Sequence, residues 1–221
     1  MNQSINWGDL LSSPVIVTLT TSVTAGLGWL GVKLYNYIKE KPSRLNKKLE
    51  KAYTDSLRSI AIVYSTILAL EKQPEIDRVF LVELSNGGNK PRPGSKLSAK
   101  GIYIELDELK LKHSKQELLK RYEDVQVDDK YIMMCIEAQQ NGRYIFNVEN
   151  HSDCLLKSIY TREGIVYSEI FHIYTDHLAE KMFILSVATQ DKKETYKSLQ
   201  TRAYIETSVR LIKDNFKLYR K

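Results

Sequence analysis

The chain has 221 residues, of which 43% are hydrophobic, and its 33 basic and 27 acidic side chains give a net charge of +6. Its two cysteines, Cys135 and Cys154, are too few and too far apart for a disulfide framework or a zinc site, and they suit a reducing cytosol. Seven of the basic residues fall within residues 33–51, so the rest of the chain is nearly neutral, lacks the basic stripe of a nucleic-acid-binding domain and predicts no nucleic-acid partner.

An uncharged stretch from Leu10 to Val32 follows a short N-terminal tail at residues 1–9. As a helix, its 23 residues would cover about 34 Å, which is enough for a hydrocarbon core of about 30 Å. We therefore predict a transmembrane helix over residues 10–38. The alternative is that the stretch forms the buried first helix of a soluble domain.

A basic juxtamembrane segment, residues 39–51, comes after this helix. No Lys or Arg precedes Val32, whereas seven follow between Lys33 and Lys51. The positive-inside rule then predicts a single-pass protein with its N-terminus outside and its C-terminal domain in the cytoplasm. The basic side chains predicted to meet anionic lipid headgroups are Lys33, Lys39, Lys41, Arg44, Lys47 and Lys48.

Two long helices are predicted at the ends of the remaining chain. Apolar residues in steps of three and four indicate a first helix over residues 43–72, which begins at Pro42-Ser43 and stops before Pro74. The same periodicity predicts a last helix over residues 192–219. These apolar seams favour a homodimer or higher homo-oligomer through the two helices, and a two-helix cover on one face of a sheet explains them equally well.

The middle of the chain, residues 77–189, is predicted to form a sheet domain. Val, Ile, Phe and Tyr concentrate in short segments separated by turn formers such as Asn141-Gly142. Strands are predicted at 77–86, 101–106, 143–148, 164–175 and 181–189, with helices at 129–140 and 152–162. The fold class is therefore α+β, with an N-terminal transmembrane helix followed by an antiparallel sheet flanked by long N- and C-terminal helices.

The second half of this order resembles a GAF domain, a small-ligand sensing module related in fold to PAS domains. "NGRYIFNVEN" is similar to the family's segment leading into a short acidic loop, and "GIVYSEIFHIY" stands at its glycine–hydrophobic–x–serine strand, with Gly164 and Ser168. "MFILSVATQ" stands where the family's last core strand precedes its long final helix. The resemblance covers roughly residues 43–219. It implies a GAF-like fold and a small ligand, and since the family includes tetrapyrrole and cyclic-nucleotide binders, the cofactor stays unknown.

Two groups of residues are candidate binding sites. The segment "SNGGNKPRPGSK" could bind an anion through backbone N–H groups, although a solvated connection between strands is the simpler interpretation. Its candidate residues are Gly87, Gly88, Lys90, Arg92 and Lys96. Glu83 is a charge inside an apolar strand and must face water, pair with a cation or serve a site. If the sheet has a ligand pocket, its predicted polar lining is Glu83, Asn86, Tyr103, Asn147, Ser168 and His172.

No catalytic constellation is apparent in the sequence. Ser168 and His172, four residues apart on one strand, would lie about 13 Å from each other, too far for proton transfer. The histidines also lack metal-ligand spacing. We therefore expect a single-pass, membrane-anchored cytoplasmic GAF-like sensor or adapter that binds a small ligand or protein partner without catalysis. The alternative is a structural or assembly protein, possibly of a phage, that uses the fold as an inert oligomerising scaffold.

Overall fold

The structure is a computed structural model that describes residues 14–85, 97–123, 125–191 and 198–219. Only the backbone is described for residues 14–32, 34, 37–45 and 217–219. The chain divides into two compact units, Met1–Thr54 and Asp55–Lys221. The first unit contains the start of the long helix α1 (Pro14–Glu71), and the second contains the end of α1 and the other described helices and strands.

Helix α1 runs unbroken through Pro42, where the sequence predicted a boundary between helices at 10–38 and 43–72. A proline removes one backbone hydrogen bond from a helix interior, but the Lys, Glu, Arg and Leu residues around Pro42 are strong helix formers and favour continuation. The prediction of two helices is therefore corrected to one. Its C-terminal end at Glu71 agrees with the stop predicted before Pro74.

The predicted transmembrane helix falls largely on residues that the structure does not fully describe. Residues 10–13 lie outside the described residues, and the side chains of residues 14–32 are not described either. Within the described part of the chain, no helix combines the length and the apolar character needed to cross a membrane.

Six antiparallel strands form one sheet in the second unit. The strands are β1 (Arg78–Ser85), β2 (Ser98–Leu106), β3 (Val125–Gln126), β4 (Tyr144–Asn147), β5 (Tyr167–Asp176) and β6 (Lys181–Thr189). Their order across the sheet is β3-β2-β1-β6-β5-β4. The β5–β6 hairpin follows the sequence prediction, since Asp176 pairs with Lys181 across the short connection.

In the described ranges, five further helices connect or follow these strands. They are α2 (Glu108–Leu111), α3 (Lys115–Arg121), α4 (Asp129–Asn141), α5 (Leu155–Glu163) and α6 (Leu199–Tyr219). Side chains cap the N-termini of α2 to α5, as when Ser114 accepts a hydrogen bond from the Glu117 amide at the start of α3. Gly164 ends α5 in the left-handed region, with φ of 71°. The short elements α2, α3 and β3 were not predicted from the sequence.

The two terminal helices cover one face of the sheet, which we call the terminal-helix face. Alternate residues of β1, Val79 and Leu81, point toward these helices and pack in one apolar cluster with them. The helix side chains in this cluster are Val63, Ile67 and Leu70 of α1 and Ile205, Val209, Ile212 and Phe216 of α6. The helices thus form the two-helix cover that was one of the two predicted arrangements.

Helices α2 to α5 cover the opposite face, which we call the inner-helix face. The other alternate residues of β1, Phe80, Val82 and Leu84, belong to the second apolar cluster. Its helix side chains include Leu111 of α2, Leu118 of α3, Tyr131 and Met134 of α4, and Leu156 and Ile159 of α5. The sheet therefore has a separate core on each side.

Gly101 brings the end of α3 close to the sheet. The pairing of β1 with β2 shifts next to Gly101, which leaves Ile102 as the extra residue of a bulge. The Gly101 amide donates to the carbonyl of Tyr122 at 2.7 Å. A Cβ at this position would lie 2.8 Å from Cζ of Phe80, so only glycine fits without displacing that ring. The bulge therefore fixes the position of Tyr122 over the sheet.

Candidate functional site

A buried ion pair joins the start of β1 to the end of α5 on the inner-helix face. Nη1 of Arg78 donates to Oε2 of Glu163, and each side chain is only 1% exposed. Burial alone would lower the pKa of Arg78, but the Glu163 carboxylate together with the oxygens of Tyr160 and Tyr122 raises that pKa overall, so the guanidinium stays charged. The guanidinium carbon also lies 4.9 Å from the ring centre of Tyr160 and 5.7 Å from that of Phe80.

A small hydroxyl network lies beside this pair. The Tyr160 hydroxyl is 2.9 Å from Oγ of Ser186 and 3.3 Å from Oγ of Ser168, and the two serine oxygens are 2.9 Å apart. Arg78 and Ser168 sit opposite the same β6 residue, Ala188, from its two sides. The ion pair and the hydroxyls therefore form one continuous polar region inside an otherwise apolar core.

Three buried polar atoms of this region have no hydrogen-bond partner among the described residues. They are Nε of Arg78, Oε1 of Glu163 and the hydroxyl oxygen of Tyr122. Tyr122 is 5% exposed, and burial raises its pKa, which keeps the hydroxyl protonated. Arg78 and Tyr122 nevertheless interact with each other, and the Tyr122 hydroxyl, whose oxygen can accept from the guanidinium, keeps a proton that it can donate to water or a ligand atom.

Tyr122 also lines a cavity of about 190 Å³ between α3, β3 and α5, which we call the α3–α5 cavity. Its lining combines three aliphatic side chains with two guanidinium groups and two hydroxyls. The lining residues are Arg121, Tyr122, Val125, Leu155, Ser158, Ile159 and Arg162. A cavity with apolar walls and a few polar groups has the composition of a small-molecule site.

Two other cavities lack this combination. One of about 130 Å³ lies under α1 and α6 and is lined by aliphatic and aromatic side chains. The other, of about 400 Å³, lies beyond the end of α1 and contains acidic and basic groups that already pair with one another, as Asp77 does with Lys110 and Glu71 with Lys72. The α3–α5 cavity is therefore the better candidate for a binding site.

Comparisons with known proteins agree on the fold of the second unit. No protein-family model and no curated protein matches the sequence. Among solved structures, the phycoerythrobilin-bound GAF domain of a cyanobacterial phytochrome has a TM-score of 0.50 and 13% identity over 78% of this chain and 94% of that chain. A far-red cyanobacteriochrome photoreceptor has a TM-score of 0.50 and 12% identity over 80% of this chain and 97% of that chain. The chain has a GAF-like fold.

Within this GAF-like fold, the five predicted pocket residues that the structure describes do not surround one cavity. Ser168 lies in the hydroxyl network on the inner-helix face. Glu83 and Tyr103 lie on the terminal-helix face, because Glu83 pairs across the sheet with Phe183 and Tyr103 with Leu81, both of the terminal-helix cluster. The sequence showed that these residues interrupt apolar strands but not which face each would reach.

The partners of Glu83 and Tyr103 explain how the GAF-like fold accommodates them. Lys181 donates to Glu83 at 2.6 Å, so this carboxylate pairs with a cation at the end of the sheet. Tyr103 stacks on Tyr64 with ring centres 4.2 Å apart, and its hydroxyl donates to Glu105. Both residues thus contribute to the packing of the terminal-helix face.

The other predicted binding residues lie at the edges of the GAF-like fold or outside the description. Asn147 ends β4 and accepts a hydrogen bond from the Glu149 amide within a turn, and His172 lies 2.8 Å from Oγ1 of Thr175. The anion-loop candidates and one pocket candidate lie outside the described residues; they are Asn86, Gly87, Gly88, Lys90, Arg92 and Lys96.

The residues predicted to meet lipid are only partly described. The side chains of Lys33, Lys47 and Lys48 are exposed on α1. Those of Lys39, Lys41 and Arg44 lie outside the described side chains. Exposure on a helix is compatible with a headgroup contact and with simple solvation.

Sequence reasoning missed the residues that form the candidate site. Arg78 interrupts the same apolar strand as Glu83, so the same anomaly could have drawn attention to it. Ser114 and Glu117 have the spacing of a capping box, which would have predicted α3 and placed Arg121 in its last turn. Glu163 gave no such signal, because only the tertiary fold brings it to Arg78.

A thiol and an imidazole lie close together at the start of α5. Sγ of Cys154 is 3.8 Å from Nδ1 of His151. However, that nitrogen is 2.9 Å from the carbonyl of Ser152, which can only accept, so Nδ1 carries the proton and cannot take one from the thiol. Cys154 is instead the N-cap of α5, and its Sγ accepts a hydrogen bond from the backbone amide of Lys157. Among the described residues, no group of three or more His, Cys, Asp or Glu side chains could hold a metal ion.

The His172 ring gives the domain a pH dependence in the acidic range. Burial lowers the pKa of His172, and the positive charge of Lys213 lowers it further, so the unfolded chain takes up this proton more readily than the folded one. Its stabilising contribution is therefore complete above about pH 6.5 and is lost as the pH falls through the lower folded pKa. We expect the urea midpoint to fall less between pH 7 and 5.5 in His172→Asn than in the unmodified protein.

The exposed His177, five residues away, provides the control for this experiment. His177→Asn should keep the pH dependence of the unmodified protein, because this substitution at an exposed position leaves the buried surroundings of His172 unchanged. An unchanged pH dependence in His172→Asn would contradict the assignment of this titration to His172.

Proposed function

We propose that the protein is a non-catalytic GAF-like sensor or adapter that binds a small molecule in the α3–α5 cavity. The observation that carries this proposal is the position of Tyr122. Tyr122 lines the cavity, and its buried hydroxyl interacts with the Arg78 guanidinium while keeping its own proton free to donate. A ligand could therefore satisfy this hydroxyl and contact a polar region that reaches β1 and α5.

The similarity to solved GAF domains supports the class of function and not the ligand. One of these domains holds phycoerythrobilin. At 13% identity, the similarity extends to the fold alone, so neither that chromophore nor its attachment is transferred to this chain. The contact of His151 Nδ1 with the Ser152 carbonyl supports the proposed absence of catalysis, because it orients this nitrogen as a donor and not as a base for the Cys154 thiol.

Native mass spectrometry of the full chain, purified in detergent, tests this function. We expect the unmodified protein to retain a small molecule or to bind one from an added metabolite mixture. Ser158→Phe should reduce this binding at least tenfold by filling the cavity from its rim, because Ser158 is exposed and lines the cavity. Thr161→Phe, an exposed position on the same helix outside the cavity lining, is the matched control and should bind normally. Unchanged binding in Ser158→Phe would contradict the site, provided its circular dichroism is that of the unmodified protein.

We also propose that residues 10–38 tether the domain to the cytoplasmic side of a membrane. The support is the charge-free stretch up to Val32 and the basic residues that follow it. The full chain should sediment with membranes and resist extraction by carbonate. Val23→Arg combined with Leu27→Arg should release it, because each central charge adds about 2.5–3.5 kcal/mol to the insertion free energy. Extraction of the unmodified chain by carbonate would contradict the tether.

A second candidate function is that of an oligomeric scaffold. Leu49 and Tyr53, four residues apart on one side of α1, are 60% and 67% exposed and could pack against a second copy. This role predicts a homodimer or larger ring without a retained molecule in the same mass spectra. Leu49→Arg combined with Tyr53→Arg should then dissociate it. A monomer with a retained ligand would favour the sensor.

A further inference from the structure

We propose that the α3–α5 cavity binds a small organic anion, whose carboxylate or phosphate group is held by Arg121 and Arg162. Its apolar body would lie against the aliphatic wall formed by Val125, Leu155 and Ile159. The inference rests on the proposed function and names the chemical class of its ligand.

Arg121 presents unused donors to the cavity. Its Nη2 donates to Oε1 of Glu117 one helical turn earlier, in a single contact. Its Nη1 is buried and has no hydrogen-bond partner among the described residues. A guanidinium has five N–H donors in a planar fork, so this contact with Glu117 leaves room for a carboxylate or phosphate on the Nη1 side.

Arg162 adds a second positive charge that no described carboxylate neutralises. It is exposed on α5 and lines the same cavity as Arg121. The next residue along the chain, Glu163, points into the core and pairs with Arg78, so it is not available to Arg162. The cavity lining thus holds two guanidinium groups, of which Arg121 is paired with one carboxylate, that of Glu117, and this excess of positive charge favours an anionic ligand over a neutral or cationic one.

Tyr122 adds a hydroxyl group to the residues that line the cavity. Because burial raises its pKa, the hydroxyl stays protonated and can donate to a ligand oxygen. Ser158, at the rim, directs its hydroxyl to the carbonyl of Cys154 at 3.2 Å and so contributes mainly shape. The polar groups available to a ligand are therefore the two arginines and Tyr122, beside the aliphatic wall.

The volume of the cavity limits the ligand. Pockets for drug-sized molecules measure about 300–1,000 Å³, whereas this cavity measures about 190 Å³. A single ring or a short branched chain with one anionic group is therefore the largest body expected to fit. A free inorganic anion would leave the aliphatic wall exposed to water.

Fluorine NMR of the full chain in detergent tests this ligand class. The probes are 4-fluorobenzoate, its neutral isostere 4-fluorobenzamide, the cation 4-fluorobenzylammonium and, as a competitor without an apolar body, inorganic phosphate. We expect 4-fluorobenzoate to bind at least tenfold more tightly than the amide or the cation, and millimolar phosphate to displace it only weakly. Arg162→Gln and Arg121→Gln should each weaken benzoate binding about tenfold or more, because each removes a charge-assisted hydrogen bond.

Arg210→Gln is the matched control, since Arg210 is an exposed arginine of α6 outside the cavity lining. It should leave benzoate binding unchanged. Equal binding of the amide and the benzoate, or benzoate binding insensitive to both cavity arginines, would overturn the anion assignment while the binding function stands. If phosphate displaced benzoate at concentrations similar to those of benzoate itself, the proposal that the ligand has an apolar organic body would be overturned. If no probe binds and native mass spectrometry finds no retained molecule, the proposed function itself is overturned.

Discussion

Arg78→Met is expected to lower the free energy of unfolding by about 3–5 kcal/mol, because it leaves the Glu163 carboxylate buried without its cation. Both side chains are 1% exposed, so water cannot replace the lost partner unless the core opens. Urea denaturation followed by circular dichroism measures this change.

The double variant Arg78→Met with Glu163→Leu separates the loss of the pair from the loss of packing. Apolar replacement of a whole buried pair is often close to neutral, so this variant should recover most of the stability. Asp153→Asn, which removes the 99% exposed partner of Lys157 on the same helix, should leave the midpoint unchanged. A double variant as unstable as Arg78→Met would show that packing of the arginine, and not its charge, stabilises this region.

Ile67→Ala is expected to cost about 2–5 kcal/mol, because Ile67 is fully buried between α1 and the sheet and its truncation leaves a cavity. Leu68, the next residue, is 43% exposed, and Leu68→Ala should cost about 1 kcal/mol or less. Chemical denaturation of both variants measures the difference. Similar losses in the two variants would mean that α1 presents a different side to the sheet.

The order of long elements could be predicted from the sequence, and the reason lies in their periodicity. The last hairpin has two apolar runs joined by a connection of four residues, 177–180, which favours pairing of the two runs with each other. The α3 region was missed because seven residues are too short to show a helical period, although Ser114 and Glu117 carried a cap signal. The predicted helix boundary at Pro42 was wrong, because the strong helix formers on both sides of this proline favour a continuous helix.

The candidate site could be predicted from the sequence far less well than the order of the long elements. The charged residues Arg78 and Glu83 show why. Both are charges in the strand "RVFLVELS", and their odd and even positions place them on opposite faces. Strand parity separates the two faces but does not say which one the terminal helices will cover. Which face they cover depends on the tertiary fold. The contact between Arg78 and Glu163, which are 85 positions apart in the sequence, depends on it as well.

The central place of β1 also affects how the chain can be synthesised. Its neighbour β2 follows it closely in the chain, but its other neighbour is β6, which among the described strands is translated last. Until β6 is made, the apolar residues of β1 between Val79 and Leu84 form an open edge, the arrangement that most readily templates association between nascent chains. Strand order thus makes the synthesis of β6 the step that closes this edge, and makes a chain truncated before β6 prone to aggregate.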